Sequence, residues 1–317
     1  MASARGRPLL SPEGIGLWGV PIAILGGAIR VSTPFVFVSL GETITERSGR
    51  INLGLEGTLV FGAMIAYGVA YLTGSAWLGL VAAMASGTAF GLFHGFICKY
   101  PKVNDIAIGI AIMQLGVGLA FFFGKPFIQP VAPHLPAIPF GWWSEIPQLR
   151  AALDVNVLFL VGIGLALLLH WAFRNTRIGL VIRVVGDSSD AARAMGVNPD
   201  RVRLLATATG GALAAIGGAY LSLYYPGSWT ERISSGQGLM AVALVIFARW
   251  NPLGCFVAAL LFGGAGALGP ALQSVGVTQG YYLFYAAPYL LTLVVMIVTS
   301  SPGRSLAGAP GELSITR

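Results

Sequence analysis

Long uninterrupted runs of apolar residues dominate the chain. They fall at about 15–44, 53–73, 76–98, 105–124, 155–173, 204–225, 236–248, 253–274 and 281–300, separated by clusters of charge, proline or glycine. A helix needs roughly 20 apolar residues to cross the hydrocarbon of a bilayer, and several runs reach that length. Backbone polar groups in lipid have to be satisfied internally, which leaves helices or a closed barrel. Barrel strands read as alternating segments of about ten residues. These runs are longer and apolar on every side. The pattern therefore predicts an all-α, polytopic membrane bundle of about eight to ten transmembrane helices, with about nine as the central expectation.

One long segment interrupts this pattern. Residues 174–203, RNTRIGLVIRVVGDSSDAARAMGVNPDRVR, hold six arginines and three aspartates in a chain with only 10% charged residues. Basic loops lie on the cytoplasmic side of membrane proteins, so this loop is expected there. Residues 124–154 carry only Lys125 and Arg150 as basic groups and are rich in Pro and Trp, which places them outside. Alternation then puts the turns 99–102 and 46–50 inside and the N-terminus outside, against Arg5 and Arg7. Either the first run is one tilted span, or it is two short spans broken near Arg30. The run 236–248 is short: it is either a full crossing extended through Trp229 or a re-entrant half-helix. Arg304 and Arg317 favour a cytoplasmic C-terminus. The expected organisation is a tail over 1–14, one transmembrane domain over 15–300 that includes the 174–203 loop, and a tail over 301–317.

Composition narrows the class. Soluble domains carry roughly 25% charged residues, so 10% with 56% hydrophobic residues excludes a water-soluble fold. The 44 glycines suit close helix packing in lipid. A net charge of +7 follows from the basic loops and is no sign of nucleic-acid binding. Cys98 and Cys255 sit in or beside apolar runs, which argues against a disulfide framework. Residues 1–13 are polar and the apolar run after them is too long for a signal-peptide core, so no cleavable leader is expected.

Four segments carry candidate chemistry. In GETITERSGRINLGLEG (41–57), Glu42, Glu46 and Glu56 stand with two arginines and Asn52 at a junction between spans. Ionisable groups in a membrane are costly unless paired or facing water, and so mark functional sites. The plainer reading is a cytoplasmic turn with an i,i+4 pair between Glu46 and Arg50, and Asn52 as the N-cap of the second span. In the 174–203 loop, SSDAARAM reads as a short helix capped by Ser188 or Ser189 and ended by Gly196, followed by a second cap at Asn198. Such a helix is either a lever for a soluble partner or a solvated loop on lipid headgroups. In NDIAIGIAIMQLGVG (104–118), Asp105 suits the first turn of a helix, and Gln114 either holds helices together or touches a polar solute. GGAGALGP (263–270) permits close packing or an unwound stretch. Tyr281, Tyr282, Tyr285, Trp142 and Trp143 near span ends read as an interfacial belt.

The phosphate-binding loop G-x-x-x-x-G-K-[ST] is missing from the sequence. His94, His134 and His170 are scattered, and no chain of Asp, Glu and His stands out as a proton relay. The expectation is that the chain takes its energy from a partner. An ion-driven secondary transporter would instead require paired buried carboxylates and broken helices at the midplane. A membrane enzyme would require converging His, Asp or Ser groups, and none converge.

Taken together, ERSGRINLGLEG (46–57), TRIGLVIRVVG (176–186) and AARAMGVN (191–198) resemble the permease subunits of bacterial ABC importers, in the family serving branched-chain amino acids, simple sugars and nucleosides. The nucleoside and simple-sugar branch is the nearer one, and the resemblance covers about residues 30–300. It implies a multi-pass inner-membrane permease and no enzymatic activity of its own. Neither cofactor nor metal is expected on this chain, since ATP and magnesium are used by a partner ATPase. The implied partners are that ATPase, a second homologous permease subunit, an extracytoplasmic substrate-binding lipoprotein and membrane lipid, with no nucleic acid. The implied coupling residues are Gly179, Arg183, Gly186, Ala192, Arg193, Met195 and Gly196. The implied pathway residues are Asn52, Gly54, Glu56 and Gly57, and Asn104 and Gln114 join them as polar candidates at the mouth and in the middle of a span. Three positions depart from the family pattern. Arg50 stands where an apolar residue is usual and Asp105 where a neutral one is. Gln114 stands one place beyond the family's usual amide, a turn of about 100° around the helix.

Overall fold

Apolar runs in lipid become helices because each backbone N–H then finds a carbonyl within its own segment. The computed structural model describes residues 19–128, 130–274, 283–284, 286–299 and 309–315. In chain order its helices begin with α1 (Gly19–Arg47), α2 (Leu55–Thr73), α3 (Ala76–Ile97) and α4 (Asp105–Gly124). Then come a short α5 (Pro147–Ala152), α6 (Val157–Asn175), α7 (Arg177–Asp187), α8 (Ser189–Ala194) and α9 (Pro199–Leu223). The series ends with α10 (Gln237–Phe247), α11 (Pro252–Ser274), α12 (Ala287–Thr299) and α13 (Gly311–Ile315). Among the described residues seven helices are long and apolar enough to span: α1, α2, α3, α4, α6, α9 and α11. Arg5, Arg7, Arg304, Arg317, Tyr281, Tyr282 and Tyr285 lie outside the described residues.

Polar residues punctuate the helices as the spacing predicts. The carboxamide of Asn104 accepts from the Ile106 and Ala107 N–H groups at the start of α4. Ser188 caps α8 through the Ala191 N–H, and Asn198 caps α9 through Asp200 and Arg201. Gly196 ends the α8 turn at φ +76°, a left-handed conformation that favours glycine. The arginine-rich segment is therefore mostly helical. α6 runs on to Asn175, α7 fills residues 177–187, and α9 starts five residues before the apolar run that announced it.

The first run is one continuous helix through Arg30. Pro34 inside α1 cannot donate to the Arg30 carbonyl. Just ahead of it, the hydroxyls of Ser32 and Thr33 both donate to the Ile29 carbonyl. The Arg30 guanidinium donates to the carbonyl of Ala151, tying α1 to α5. Above α5, the strands Ala137–Pro139 and Asp154–Asn156 pair antiparallel with Ile138 opposite Val155. Trp142 and Trp143 stand exposed on this cap.

α9 is the central post, packed against α1, α2 and α3. Backbone meets backbone there: a Cβ at Gly218 would lie 2.0 Å from the Leu59 carbonyl oxygen, and one at Gly211 would lie 2.2 Å from that of Gly87. Without a hydrophobic drive between helices in lipid, this intimacy supplies the association. Large side chains such as Trp77, Phe122, Leu167 and Trp171 point outward, where lipid or another membrane subunit is their solvent.

The run 236–248 is half a helix that completes a crossing. The chain leaves α9 on the outer side, and Trp229 is buried against Gly124 at the outer end of α4. Residues 224–236 then descend without forming a helix, and α10 covers the inner half. At about 1.5 Å per residue its 11 residues reach about 16 Å, half of a roughly 30 Å core. α13 rests beside α7 on the inner side, so the chain crosses once more between α11 and α13. α10 adds one shorter apolar helix to the seven long ones among the described residues.

Gly218→Val should force α9 away from α2 and cost more than the 1–3 kcal/mol of ordinary overpacking. Gly164→Ala, where nothing lies within 4 Å of the added carbon, should cost nothing measurable. Thermal unfolding in detergent, read by the fraction still monodisperse, checks both.

Candidate functional site

Residues 48–54 do not run along the membrane surface. They turn back into the bundle, because the N–H of Asn52 donates to Glu42 Oε1 at 2.8 Å. Glu42 lies five residues before the end of α1, so α2 begins about 7 Å inside that end. Asn52 in turn accepts from the Gly54 N–H at 2.9 Å. The N-cap of α2 is thus Gly54 and not Asn52. Asn52 braces the re-entrant turn instead. A Cβ at Gly54 would lie 2.9 Å from the Asn52 Oδ1, and one at Gly57 would lie 2.4 Å from the Met113 carbonyl oxygen. Both glycines serve close packing of the turn and α2 on α4.

Glu56 is the exception, because its side chain reaches another helix. Its Oε1 accepts from the Ser234 hydroxyl at 2.6 Å and the Gly236 N–H at 3.1 Å. Its Oε2 accepts from the Gly238 N–H at 2.6 Å. Gly236 is the N-cap of α10 at φ +84° and has no side chain to offer. The carboxylate of α2 therefore caps α10 from across the bundle, at the depth where the crossing changes from irregular chain to helix. A negative group there meets the unpaired N–H groups and the positive end of the helix dipole.

The inner end of α10 is bolted to α1. The Trp250 indole N–H donates to Glu46 Oε2, and Arg47 Nε donates to the Trp250 carbonyl at 3.1 Å. Arg249 and Trp250 both sit at positive φ, +52° and +55°. Two consecutive non-glycine residues there are strained, and the surrounding contacts hold them. The expected pair between Glu46 and Arg50 does not form. Arg50 has left the helix and bonds Asp105 at 2.6 Å, joining the re-entrant turn to the first turn of α4. Two of the three positions that depart from the family pattern, Arg50 and Asp105, are thus each other's partners. Glu42 and Glu46 form a pair of buried carboxylates one turn apart. The sequence offers no chain of Asp, Glu and His as a proton relay, and these two acids are adjacent turns of one helix. Buried carboxylates and a half-helix are also what an ion-driven transporter would need, so these features do not separate the two classes.

Two expected pathway residues stand apart from the Glu56 cluster. Asn104 is exposed and spent on capping α4. Gln114 is exposed on α4, whose buried stripe is Asp105, Gly109, Ile112, Gly116, Ala120 and Gly124. Neither touches the Glu56 cluster. The members that the sequence hid are Ser234, Gly236, Gly238 and Trp250. Only the S-S-G-Q-G run ahead of a short apolar stretch hints at a break there.

The arginine-rich segment divides into frame and tip. Gly179 seats α7 on α6, where a Cβ would lie 2.2 Å from the Ala172 carbonyl oxygen. Gly186 seats α7 on the end of α1, 2.1 Å by the same measure from the Arg47 carbonyl oxygen. Arg183 is half-buried and bonds the Gly179 carbonyl at 3.4 Å. Ala192 is fully buried under α8. The exposed tip is Arg193, paired with Asp190 at 3.0 Å, with Met195 and Gly196. Met195 stands 61% exposed beside the Asp190–Arg193 pair.

Glu56→Ala should strip three donors of their acceptor and lower transport at least tenfold, while membrane insertion stays normal. Glu56→Asp, too short to reach all three, should fall between. Trp250→Phe should leave a buried carboxylate oxygen unpaired and cost about 1–3 kcal/mol. Initial uptake rates check the first two variants and thermal unfolding the third.

Residues 24–300 match the family model described as branched-chain amino acid transport system, permease component. The putative glucose ABC transporter permease of Haloferax volcanii is 34% identical over 257 residues, 80% of this chain and 78% of that one. The guanosine ABC transporter permease of Bacillus subtilis is 29% identical over 292 residues, 86% of this chain and 90% of that one. The nucleoside ABC transporter permease of Lactococcus lactis is 27% identical over 290 residues, with the same two shares. These relatives are transport components, and an ABC permease works with an ATPase and a substrate-binding protein. With seven long apolar helices in the bundle, this is a multi-pass inner-membrane protein that belongs to the ABC-type permease family of branched-chain amino acid, sugar and nucleoside transport systems.

Proposed function

We propose that this permease carries nucleosides inward, powered by a separate ATPase subunit. The observation that carries the solute assignment is that the guanosine and nucleoside permeases align over 90% of their own length. The chain catalyses no covalent step and holds no cofactor; ATP and magnesium belong to the ATPase. A second homologous permease completes the path, an extracytoplasmic lipoprotein delivers the solute, and lipid surrounds the pair. Nucleic acid has no part.

The geometry supports an alternating-access reading. Irregular backbone at membrane depth is stable only where protein buries it or it lines an aqueous path. Residues 224–236 are such a stretch, ending on Glu56 and α10. Trp229 Nε1 and Gln237 Oε1, which bracket its lower part, are buried without a hydrogen-bond partner among the described residues. Asn52, Gly54, Glu56 and Gly57 frame this break. The α8 tip, with Arg193 and Met195, is the docking surface for the ATPase. Gly179, Arg183, Gly186 and Ala192 hold that tip on the bundle. Movement of α8 then reaches α1 through the seat of Gly186 on Arg47, and α10 through Trp250.

The second reading is a simple-sugar permease, favoured by the 34% identity to the Haloferax relative. Uptake of radiolabelled purine and pyrimidine nucleosides, with an unlabelled simple sugar as competitor, separates the two. The nucleoside reading predicts ATP-dependent uptake that the sugar leaves unchanged. Sugar competition would move the solute to sugars. Collapse with an ionophore at high ATP would overturn the ATP-driven reading. Arg193→Glu and Met195→Asp should each abolish uptake with insertion intact; undiminished uptake in both would remove the tip from the docking role.

A further inference from the structure

The last described segment of the chain sits on the arginine-rich segment. Glu312 of α13 accepts the Ser189 N–H with Oε1 at 2.6 Å. Its Oε2 pairs with Arg203 Nη2 at 3.2 Å, with both side chains mostly buried. Arg203, one turn into α9, also donates to the Ser189 hydroxyl at 2.9 Å and to the Ser48 carbonyl at 3.1 Å. Gly49, at φ +85°, is pressed into the same point: a Cβ there would lie 2.9 Å from Glu312 Cβ and 3.3 Å from Gly186 Cα. A Cβ at Gly311 would lie 2.5 Å from the Asp187 carbonyl oxygen. Four elements therefore meet at one carboxylate: the α7–α8 junction, the start of α9, the re-entrant 48–54 turn and α13.

We propose that Glu312 is a positioning residue for energy coupling, and that the segment carrying it is a strap clamping the α8 docking helix to α9 and the 48–54 turn. The proposal rests on the reading of α8 as the ATPase docking surface. α8 has six residues and is held by few groups of its own. Its N-terminal Ser189 is anchored through the strap and through Arg203. From the anchor the chain of contacts runs through Ser48 and Gly49 to Arg50–Asp105 and Asn52–Glu42, and so to the start of α2, which bears Glu56. A push on α8 can move that turn only if the clamp is closed. With the clamp open, α8 swings on its own.

Burial raises the Glu312 carboxyl, but the bonds from Ser189 and from Arg203 outweigh it and hold the group below the usual carboxylate range. A depressed carboxylate stabilises the fold above its unfolded value of about 4.3 and loses that contribution only as pH falls through the folded value. The clamp therefore stays charged and closed throughout the neutral range.

The test is the number of solute molecules moved per ATP hydrolysed, in the complete transporter reconstituted in vesicles. Glu312→Ala should keep wild-type retention of the ATPase during purification and keep ATP hydrolysis. Solute moved per ATP should fall at least fivefold. Glu312→Gln, which keeps an acceptor for Ser189 but loses the ion pair, should fall less. In the double variant Ser189→Cys with Glu312→Cys, a short bis-methanethiosulfonate bridge should restore the ratio, and a reductant should remove it again. That reversible rescue distinguishes positioning from a general loss of folding. Wild-type stoichiometry in Glu312→Ala, or a bridge that restores nothing, overturns the strap. Loss of the ATPase from Glu312→Ala alone makes Glu312 a docking contact and also overturns it. Failure of Arg193→Glu and Met195→Asp to weaken ATPase retention would remove the docking reading itself.

Discussion

The carboxylate of Glu56 is the contact on which the inner half of the bundle depends. A crossing that is only half helical leaves a helix N-terminus and its unpaired N–H groups inside the membrane, where water cannot satisfy them. Gly236 permits the turn but supplies no cap. Glu56 supplies it from α2, taking the Ser234 hydroxyl and two backbone N–H groups. A charge that would be costly alone in lipid becomes favourable because it sits on the positive end of a helix. The position of α10 relative to α2 is therefore set by a polar contact with direction, and apolar packing follows from it.

The same economy of charge extends to the inner surface. Glu46 is spent on the Trp250 indole, Arg50 on Asp105, and Arg203 on Glu312. Each joins elements distant in sequence, and all lie around the re-entrant 48–54 turn. This turn lies between the α7–α8 segment and the start of α2. Closely packed interfaces of this kind, with glycine at Gly49 and Gly186, shift as units and do not deform gradually. On the proposed docking at α8, a soluble ATPase would displace a helical crossing that it does not touch.

Much of the architecture was legible in the chain. Run lengths gave the spans, and Ser188, Asn198 and Asn104 marked helix starts because capping is local. What stayed hidden was non-local. Asn52 has the residue type and place of an N-cap, yet the turn folds inward onto Glu42 and the cap falls on Gly54. Glu46 and Arg50 have helix spacing, but α1 ends at Arg47 and a partner 55 residues away takes the arginine. Asn104 and Gln114 are polar residues at the mouth and in the middle of a span, and both stand exposed on α4 or its cap. Which face of α4 is buried depends on its glycines meeting α2, as Gly116 does at Gly57. The cap on α10 lies about 180 residues from Glu56, beyond any local spacing rule.

A double-mutant cycle on Glu56 and Ser234, read by initial nucleoside uptake at equal surface expression, tests the central contact most directly. If Glu56 acts by holding the head of α10, Ser234→Ala should slow uptake several-fold in the wild-type background and change nothing once Glu56 is Ala. If the two substitutions instead multiply, each acts independently, and the capped half-helix is not the element on which transport turns.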